Sequence, residues 1–168
     1  GVGDELVLVN PISTDLDAMR PSILPNLLDA VTRNQARGID DVALFELGPQ
    51  YSDDTPAGQS LTAAGVRVGA DGSRHWSSSP RPVDAYDTKA DALAALTAAA
   101  APVANLQVAR EAPGWYHPGR SGALMLGHKP LAYFGEIHPA IIRDFELRGA
   151  VSAFEVIMDA VPPAKAKK

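Results

Sequence analysis

An amphipathic helix followed at once by a short buried strand is the feature that most constrains how this chain folds. The helix is predicted over residues 22–37, because apolar residues recur there on one side of a 3.6-residue turn: Ile23, Leu24, Leu27, Leu28 and Val31. Pro21 and Pro25 fall at or near its first turn, where a missing N–H costs little, and Gly38 is expected to end it. The apolar run 42–47 then predicts a strand buried on both faces except at Glu46.

Further apolar runs predict a sheet of about six strands. They cover residues 6–9, 62–68, 106–110, 123–126, 131–134 and 151–157. The short spacing between the runs at 123–126 and 131–134 is typical of antiparallel neighbours. Together with three helices, these runs predict an α+β fold, a largely antiparallel sheet flanked by helices.

The second and third helices are predicted from their caps and their apolar residues. Asp84 or Asp87 is expected to cap the second helix and Pro102 to end it, and the third covers residues 139–145. We expect Trp76 to anchor a loop over residues 73–83. The buried stripe of the second helix is predicted to contain Tyr86, Ala90, Leu93, Leu96 and Ala100.

Length and composition fit one globular domain. The chain has 168 residues, and we assign residues 1–161 to the domain and 162–168 to a frayed tail. With 46% hydrophobic and 21% charged residues, and no apolar run near the roughly 18 residues of a membrane span, it belongs with soluble domains. Because it starts with Gly rather than Met, we expect it to be a piece of a longer protein.

Charge and cysteine content exclude several functions. A net charge of −5 argues against a self-sufficient nucleic-acid binder, because phosphate recognition usually requires a basic excess. The absence of cysteine excludes disulfides, thiolate metal ligands and a cysteine nucleophile.

Three glutamates, Glu46, Glu136 and Glu155, interrupt or adjoin apolar strands. If they met on one face of the sheet, they could bind a hard cation or act as acid and base, since like charges in a dry cleft shift each other's pKa. Alternatively, each lies at a strand end and is bonded to an arginine or to backbone amides. We favour this second, structural interpretation.

A second candidate cluster contains His117, Arg120 and His138. A zinc site needs four ligands, so hydrogen bonds that order loops are the favoured interpretation of these residues. Ser121 lacks the Gly-x-Ser-x-Gly frame of a serine nucleophile, and phosphate-binding loops of the Walker or dinucleotide type are missing.

A series of short motifs, each weak alone, occurs in an order and spacing that together are specific. They are Asn10-Pro11, a helix segment from Met19-Arg20 to Leu27-Leu28, Arg33-Asn34, Ala43-Leu44-Phe45-Glu46-Leu47-Gly48, Tyr86-Asp87 with Lys89-Ala90-Asp91, His117-Pro118-Gly119-Arg120-Ser121, Gly135-Glu136-Ile137-His138-Pro139 and Phe154-Glu155. In these motifs the chain resembles the synthetase-like core of the beta subunit of bacterial phenylalanyl-tRNA synthetases. The resemblance implies a class II aminoacyl-tRNA synthetase-like fold.

The resemblance also implies that this domain is catalytically silent, with no catalytic, cofactor-binding or metal-binding residue. Active class II enzymes place an arginine after the strand that matches residues 45–51, whereas residues 48–54 here end in Asp53-Asp54. Their Gly-x-Gly-x-x-Arg turn is matched by residues 153–159, which contain neither glycine nor arginine. Adenylyl transfer requires fixed cations near the phosphate oxygens, so ATP-dependent activation is not expected here.

In the family, this domain packs against the alpha subunit of an α2β2 heterotetramer in the cytoplasm. The holoenzyme charges tRNA(Phe) with phenylalanine and uses ATP and magnesium, and tRNA is expected to contact other domains. The first class II motif, the editing domain and the magnesium-binding segment are expected before residue 1, and the anticodon-binding domain after residue 168.

Two other interpretations remain. One is a stand-alone nucleotide- or small-molecule-binding enzyme that uses Glu46, Glu136 and Glu155. The other is an interaction module unrelated to synthetases.

Overall fold

The computed structural model describes residues 4–13, 17–72, 75–77 and 79–163. Among these residues, the α helices are α1 (Leu24–Ala36), α2 (Ala85–Ala98) and α3 (Pro139–Asp144). The strands are β1 (Val42–Tyr51), β2 (Gln59–Val68), β3 (Gln107–Ala109), β4 (Tyr116–Leu126), β5 (Lys129–Ile137) and β6 (Val151–Ile157). They form one sheet in the order β1-β2-β6-β5-β4-β3, and every neighbouring pair is antiparallel. This confirms the predicted α+β fold.

Helix α1 closely follows the prediction, and all five of its predicted apolar positions are buried. It begins slightly later than expected, because Ser22 lies outside the helix and its hydroxyl accepts a hydrogen bond from the Leu24 amide at 3.2 Å. It ends where Gly38 adopts a φ of 81°, a conformation that glycine reaches without a steric penalty.

Strand β1 is longer than the predicted 42–47, because its pairing with β2 continues to Tyr51 opposite Gln59. The Tyr51 amide donates to the Arg20 carbonyl at 3.0 Å, away from β2. Pro49 has the same phase and therefore points its missing N–H toward the free edge, where no ladder bond is lost. The pattern Gly48-Pro49 resembles a turn, which is why the sequence prediction ended too early.

The sheet separates two apolar cores. On one side, the first face, α1 and the partly buried α3 residues pack against a core that includes Ala64, Val66, Tyr116, Ile137 and Ala153. On the other side, the second face, α2 packs against a core that includes Ala63, Leu124, Ala132, Phe134, Phe154 and Val156. Gly65 allows the Phe154 ring to approach the sheet, because a Cβ there would lie 2.5 Å from the Phe154 Cε1.

The start of α2 was predicted correctly, but its buried face was not. Asp84 caps the helix, and Asp87 completes a reciprocal capping box. Tyr86 is 75% exposed, Ala90 and Ala100 are exposed, and Leu93 is only half-buried. The buried helix residues are Thr88, Ala92 and Leu96. In this alanine-rich sequence the faces of the helix differ little in hydrophobicity, so the buried face was assigned to the wrong side. Of the predicted residues, only Leu96 is fully buried.

The predicted strand over residues 6–9 is wrong. The segment starts as a 3₁₀ turn, Asp4–Leu6, followed by an isolated bridge between Val7 and Ala18. Leu6 is buried, whereas Leu8 and Val9 are exposed, so only one apolar side chain of the run reaches a core.

The predicted role of Trp76 is also wrong. Its side chain is 99% exposed and does not anchor its loop. In the tail, residues 164–168 lie outside the described residues. None of the described helices has the length and apolar character needed to cross a membrane.

Candidate functional site

Two of the three predicted glutamates lie in one row on the first face of the sheet. The register aligns Glu46 with Ala64, Ala64 with Glu155, and Glu155 with Tyr133. Since neighbouring strands lie about 4.8 Å apart, the Glu46 and Glu155 backbones are separated by roughly 10 Å. The row brings two acids onto the same surface without placing them in direct contact.

The third glutamate lies on the opposite face. Glu136 is aligned with Ser152, which is aligned in turn with Arg67, and Arg67 forms an ion pair with Asp91 of α2 at 2.5 Å. Because Glu136 and Tyr133 are three residues apart on one strand, alternation sends their side chains to opposite sides. The three glutamates therefore do not converge.

Glu155 is the buried acid of the first face, with only 5% of its surface exposed. Its carboxyl accepts hydrogen bonds from the Trp115 indole at 2.9 Å, the Tyr116 hydroxyl at 3.1 Å and the Ser22 hydroxyl at 3.4 Å. All three donors are neutral. Burial raises the pKa of Glu155 above its ordinary value, and the three hydrogen bonds oppose this effect only in part.

Two tyrosines share the environment of Glu155. Burial, reinforced by the nearby Glu155 charge, raises the pKa of Tyr116 well above its ordinary value. The same two causes, in the same order, raise the pKa of Tyr133. Both phenols therefore stay protonated at neutral pH, and Tyr116 serves as a hydrogen-bond donor to the carboxyl.

Glu46 is bonded differently, through an arginine. Its Oε1 lies 2.6 Å from the Arg20 Nη1, and the Arg20 Nε donates to the Pro49 carbonyl at 3.0 Å. Arg20 reaches the strand across Gly48, where a Cβ would lie only 2.3 Å from its Nη2. The guanidinium is thus held against β1 by an acid and a carbonyl.

The predicted cluster of His117, Arg120 and His138 does not form a joint site. The His117 Nδ1 accepts from the Gly119 amide at 3.0 Å, and the His138 Nδ1 accepts from the Ala140 amide at the start of α3. Arg120 pairs with Glu136 at 3.0 Å. These contacts agree with the loop-ordering interpretation of the two histidines. No group of three or more potential ligands that could hold a metal occurs within the part of the chain that the structure describes.

Ser121 has a local structural role. Its hydroxyl donates to the His117 carbonyl at 2.6 Å, across a register shift between β4 and β5. A hydroxyl that donates to a backbone carbonyl is not activated by a general base in this contact, and the bond instead bridges the irregular part of β4.

An apolar groove of about 410 Å³ lies beside Glu155, between α1, α3 and Trp115. Ser22 and Trp115 belong both to the groove and to the Glu155 hydrogen-bond network. The other lining residues include Leu24, Leu28, Ile141 and Phe145, and none of the lining residues is charged. The groove therefore offers apolar contacts and no cation for a phosphate.

Sequence reasoning identified Glu46 and Glu155 but missed the side chains that hold them. Trp115 and Tyr116 directly precede the His117-Pro118 motif, and Arg20 and Ser22 lie four and two residues before the first residue of α1. No local sequence pattern indicates that the first two residues and Ser22 contact Glu155 of β6, or that Arg20 contacts Glu46 of β1. The motif order was the only available signal, since each of these residues lies within or next to one of the family motifs.

Comparison with known proteins gives a consistent result. The family model described as the phenylalanyl tRNA synthetase beta chain CLM domain matches residues 2–158. Phenylalanine–tRNA ligase beta subunits of Paramagnetospirillum magneticum and Rhodospirillum rubrum are 53% and 54% identical over 167 residues. Each alignment covers 99% of this chain and 21% of the relative, so the chain spans about a fifth of their length.

Solved structures show the same fold at much lower sequence identity. Pyrrolysyl-tRNA synthetase from Desulfitobacterium hafniense matches with a TM-score of 0.61 and 13% identity, covering 92% of this chain and 51% of that chain. A second structure of a pyrrolysyl-tRNA synthetase from this organism gives a TM-score of 0.60 with 14% identity, covering 89% and 50% of the two chains. At this identity, the match concerns the fold alone.

Proposed function

Because this chain belongs to the phenylalanyl-tRNA synthetase beta chain family, through the CLM domain, we propose that it acts as a non-catalytic, class II-like structural domain. In this role it supports ATP-dependent charging of tRNA(Phe) with phenylalanine by packing against the alpha subunit. ATP, magnesium and most tRNA contacts belong to other parts of a cytoplasmic α2β2 assembly. The domain itself contributes shape and rigidity.

The bonding of the first face is the observation that carries this proposal. Arg20 is held by Glu46 and by the Pro49 carbonyl, and Glu155 occupies β6 with neutral donors around it. A developing charge on a phosphoryl group is stabilised by cations aimed at its oxygens. Here Arg20 is already paired with Glu46, and Glu155 is bonded only to neutral donors, so this group of residues offers no free cation to the phosphates of ATP. This supports a structural role.

The alternative of a stand-alone enzyme has less support. Glu136 faces away from Glu46 and Glu155, and its carboxyl pairs with Arg120. Each glutamate has its own set of partners, so the three lack the shared cleft that acid and base catalysis or cation binding would require.

The proposal is tested in the complete beta subunit, co-expressed with its alpha subunit. E46Q and E155Q keep the shape of each side chain while they remove its charge. We expect both variants to co-purify with alpha and to retain tRNA charging within about twofold, because neither carboxyl touches a reacting group. Loss of charging by orders of magnitude in an intact complex would show that the face is catalytic.

Calorimetry of the 168-residue chain with ATP-magnesium and with phenylalanine provides a second, independent test. We expect no saturable heat in either titration. Micromolar binding of either compound would favour the enzyme interpretation, and failure of the intact subunit to associate with alpha would exclude the packing role.

A further inference from the structure

A short segment before α1 contacts both acids of the first face. We call this segment, residues 17–22, the strap. The Arg20 Nη1 lies 2.6 Å from the Glu46 Oε1 on β1, and the Ser22 hydroxyl lies 3.4 Å from the Glu155 Oε1 on β6. Since β2 lies between β1 and β6, the strap passes over β2 from one acid to the other. It therefore forms part of the cover over Glu155.

Polar contacts hold the strap in place. The Arg20 carbonyl accepts a hydrogen bond from the Tyr51 amide of β1 at 3.0 Å, and the Met19 amide donates to the Leu6 carbonyl at 2.7 Å. Each strap residue is exposed or half-buried. Segments with few buried contacts open at a lower free energy than a packed core. The strap is therefore a part of the first face that can open while the sheet stays folded.

The hydrogen bonds of Glu155 suit a neutral carboxylic acid. Trp115 and Tyr116 both donate to its Oε2, whereas its Oε1 meets only the Ser22 hydroxyl among the described residues. The Ser22 Oγ accepts from the Leu24 amide at 3.2 Å and has a second lone pair for another donor. A proton on Oε1 is therefore donated to Ser22, while Oε2 keeps both of its donors. The neutral acid retains every bond of this network, whereas the ionised acid is a buried charge with only neutral donors around it.

We propose that Glu155 is a pH-sensitive switch for the strap: the neutral acid holds Ser22 on the sheet, and ionisation promotes opening. Opening lets water reach the carboxyl. Burial raises the pKa of Glu155 in the closed form, and hydration returns it toward the ordinary value of 4.5. The open form thus binds the proton less tightly than the closed form. By linkage, the strap opens more readily as the pH rises from 4.5 through the pKa of the closed form.

Other ionisable groups lie on the same face as Glu155. Burial, reinforced by the Glu155 charge, raises the pKa of both Tyr116 and Tyr133, so both phenols are neutral throughout this pH range. Glu46 lies two strands away from Glu155 and is paired with Arg20. These groups do not gain or lose a proton against Glu155 as the strap opens.

The two helices on this face supply no acid to the Glu155 network. Both line the adjoining groove with apolar side chains. His138, at the start of α3, directs its Nδ1 to the Ala140 amide at 3.2 Å. The charged side chains of the two helices are exposed: Asp29, Arg33, Arg143 and Asp144. A variant that lacks only the Glu155 carboxyl therefore separates its titration from that of His138.

Hydrogen exchange measures opening of the strap in the complete beta subunit bound to its alpha subunit. The reporter is the Tyr51 amide, which is bonded to the strap. The reference is the Glu46 amide, which faces β2 because hydrogen-bonding direction alternates along β1. Mass spectrometry with single-residue fragmentation gives a protection factor for each amide, corrected for the intrinsic exchange rate at each pH.

Wild type is expected to show local opening that depends on pH. The Tyr51 amide should be at least about tenfold less protected than the Glu46 amide, because the strap opens without the sheet. Its protection factor should fall by up to about tenfold per pH unit from 4.5 through the raised pKa of Glu155, the limit for release of one proton. Equal protection of the two amides, or a Tyr51 protection factor that does not change with pH, would overturn the proposal.

E155Q and E46Q form a matched pair, since each replaces one carboxyl by an amide on the same face. E155Q keeps a neutral partner for Ser22, so its Tyr51 protection factor should vary by less than about twofold between pH 4.5 and neutral pH. E46Q weakens the contact with Arg20 and should lower Tyr51 protection at every pH. It leaves Glu155 in place, so the wild-type pH dependence should remain.

A pH dependence that survives in E155Q would belong to another group, such as His138, and would contradict the proposed switch. The same conclusion would follow if E46Q abolished the pH dependence as completely as E155Q. The inference goes beyond the proposed function, because charging of tRNA does not enter the measurement. The switch can therefore fail while the structural role stands, and the structural role can fail while the switch stands.

Discussion

At the scale of single residues, Glu155 is the acid whose environment most clearly opposes its charge. The Glu155 pKa is raised in the folded state, so above the ordinary value of 4.5 the folded chain binds more protons than the unfolded chain. By linkage, the contribution of Glu155 to stability falls as the pH rises from 4.5 through the pKa that Glu155 has in the folded chain.

E155Q removes this titration and keeps the shape. Its carbonyl oxygen can accept from Trp115 and Tyr116, while its amide donates to Ser22. We expect the unfolding free energy of E155Q to rise relative to wild type as the pH rises from the ordinary value of 4.5 through the raised folded pKa of Glu155 to neutral pH. Urea denaturation at several pH values measures the difference.

S22A serves as the control for E155Q, because it removes one donor and leaves the carboxyl in place. The Ser22 hydrogen bond lowers the pKa of Glu155, so S22A should retain at least the pH dependence of wild type. A constant free-energy difference between E155Q and wild type across this range would contradict the assigned burial effect.

Ser152 shows the opposite case, a buried polar group that has no hydrogen-bond partner in the described part of the chain. Its side chain is fully buried, and its hydroxyl has no hydrogen-bond partner among the described residues. S152A replaces the hydroxyl by a hydrogen and so removes the cost of burying an unsatisfied polar group. The unfolding free energy of S152A should therefore equal that of wild type or exceed it by about 1 kcal/mol. Chemical denaturation measures this change.

T88V is the comparison for S152A. Thr88 is equally buried, but its hydroxyl donates to the Ala85 carbonyl at 3.3 Å. T88V should therefore lose about 0.5–1 kcal/mol. A marked loss of stability in S152A would mean that its hydroxyl has an important partner.

The candidate site could be predicted from sequence only in part. Glu46 and Glu155 stand out because each is an acid inside an apolar run. Their partners do not, since Trp115 lies 40 positions from Glu155 and Ser22 lies 133 positions away. Such contacts depend on the strand order β2-β6-β5-β4, and no local periodicity encodes that order.

At the scale of elements, helix caps and strong amphipathic patterns predicted helix positions correctly. A weak difference in hydrophobicity between two faces of a helix did not predict which face is buried. α1 was located by its apolar stripe and by Gly38, and α2 was located by Asp84. The buried face of α2 was misassigned because small alanines fit either side of a helix. β1 was cut short because the local meaning of Pro49 depends on whether its strand lies at an edge.

The cap of α2 gives a prediction at this scale. The Asp84 carboxylate accepts from the Tyr86 amide at 2.7 Å and from the Asp87 amide at 3.4 Å. D84A should destabilise the chain by about 1 kcal/mol, because two amides of the first turn lose their acceptor. Denaturant unfolding followed by circular dichroism measures the loss. D54A, in the exposed loop after β1, should change the unfolding free energy by less than about 0.5 kcal/mol. If D54A lost as much stability as D84A, the loss in D84A could not be attributed to the helix cap.

At the scale of the whole molecule, the two cores share one sheet. Strands β2, β5 and β6 contribute residues to both cores. Loss of the packing on one face therefore also destabilises the strands that form the other core. This arrangement predicts that the chain unfolds in one cooperative transition rather than as two separate layers.

Core variants on opposite faces test this cooperativity. L96A removes a fully buried side chain under α2 and should lose about 2–5 kcal/mol, whereas V31A on α1 should lose about 1–3 kcal/mol. Both are made in a W76F background, so that Trp115 is the only remaining indole and reports on the first face. Because β2, β5 and β6 connect the cores, L96A should lower the Trp115 fluorescence midpoint as much as the circular dichroism midpoint. Separate midpoints in L96A would show instead that the first-face core persists after the second-face core has unfolded.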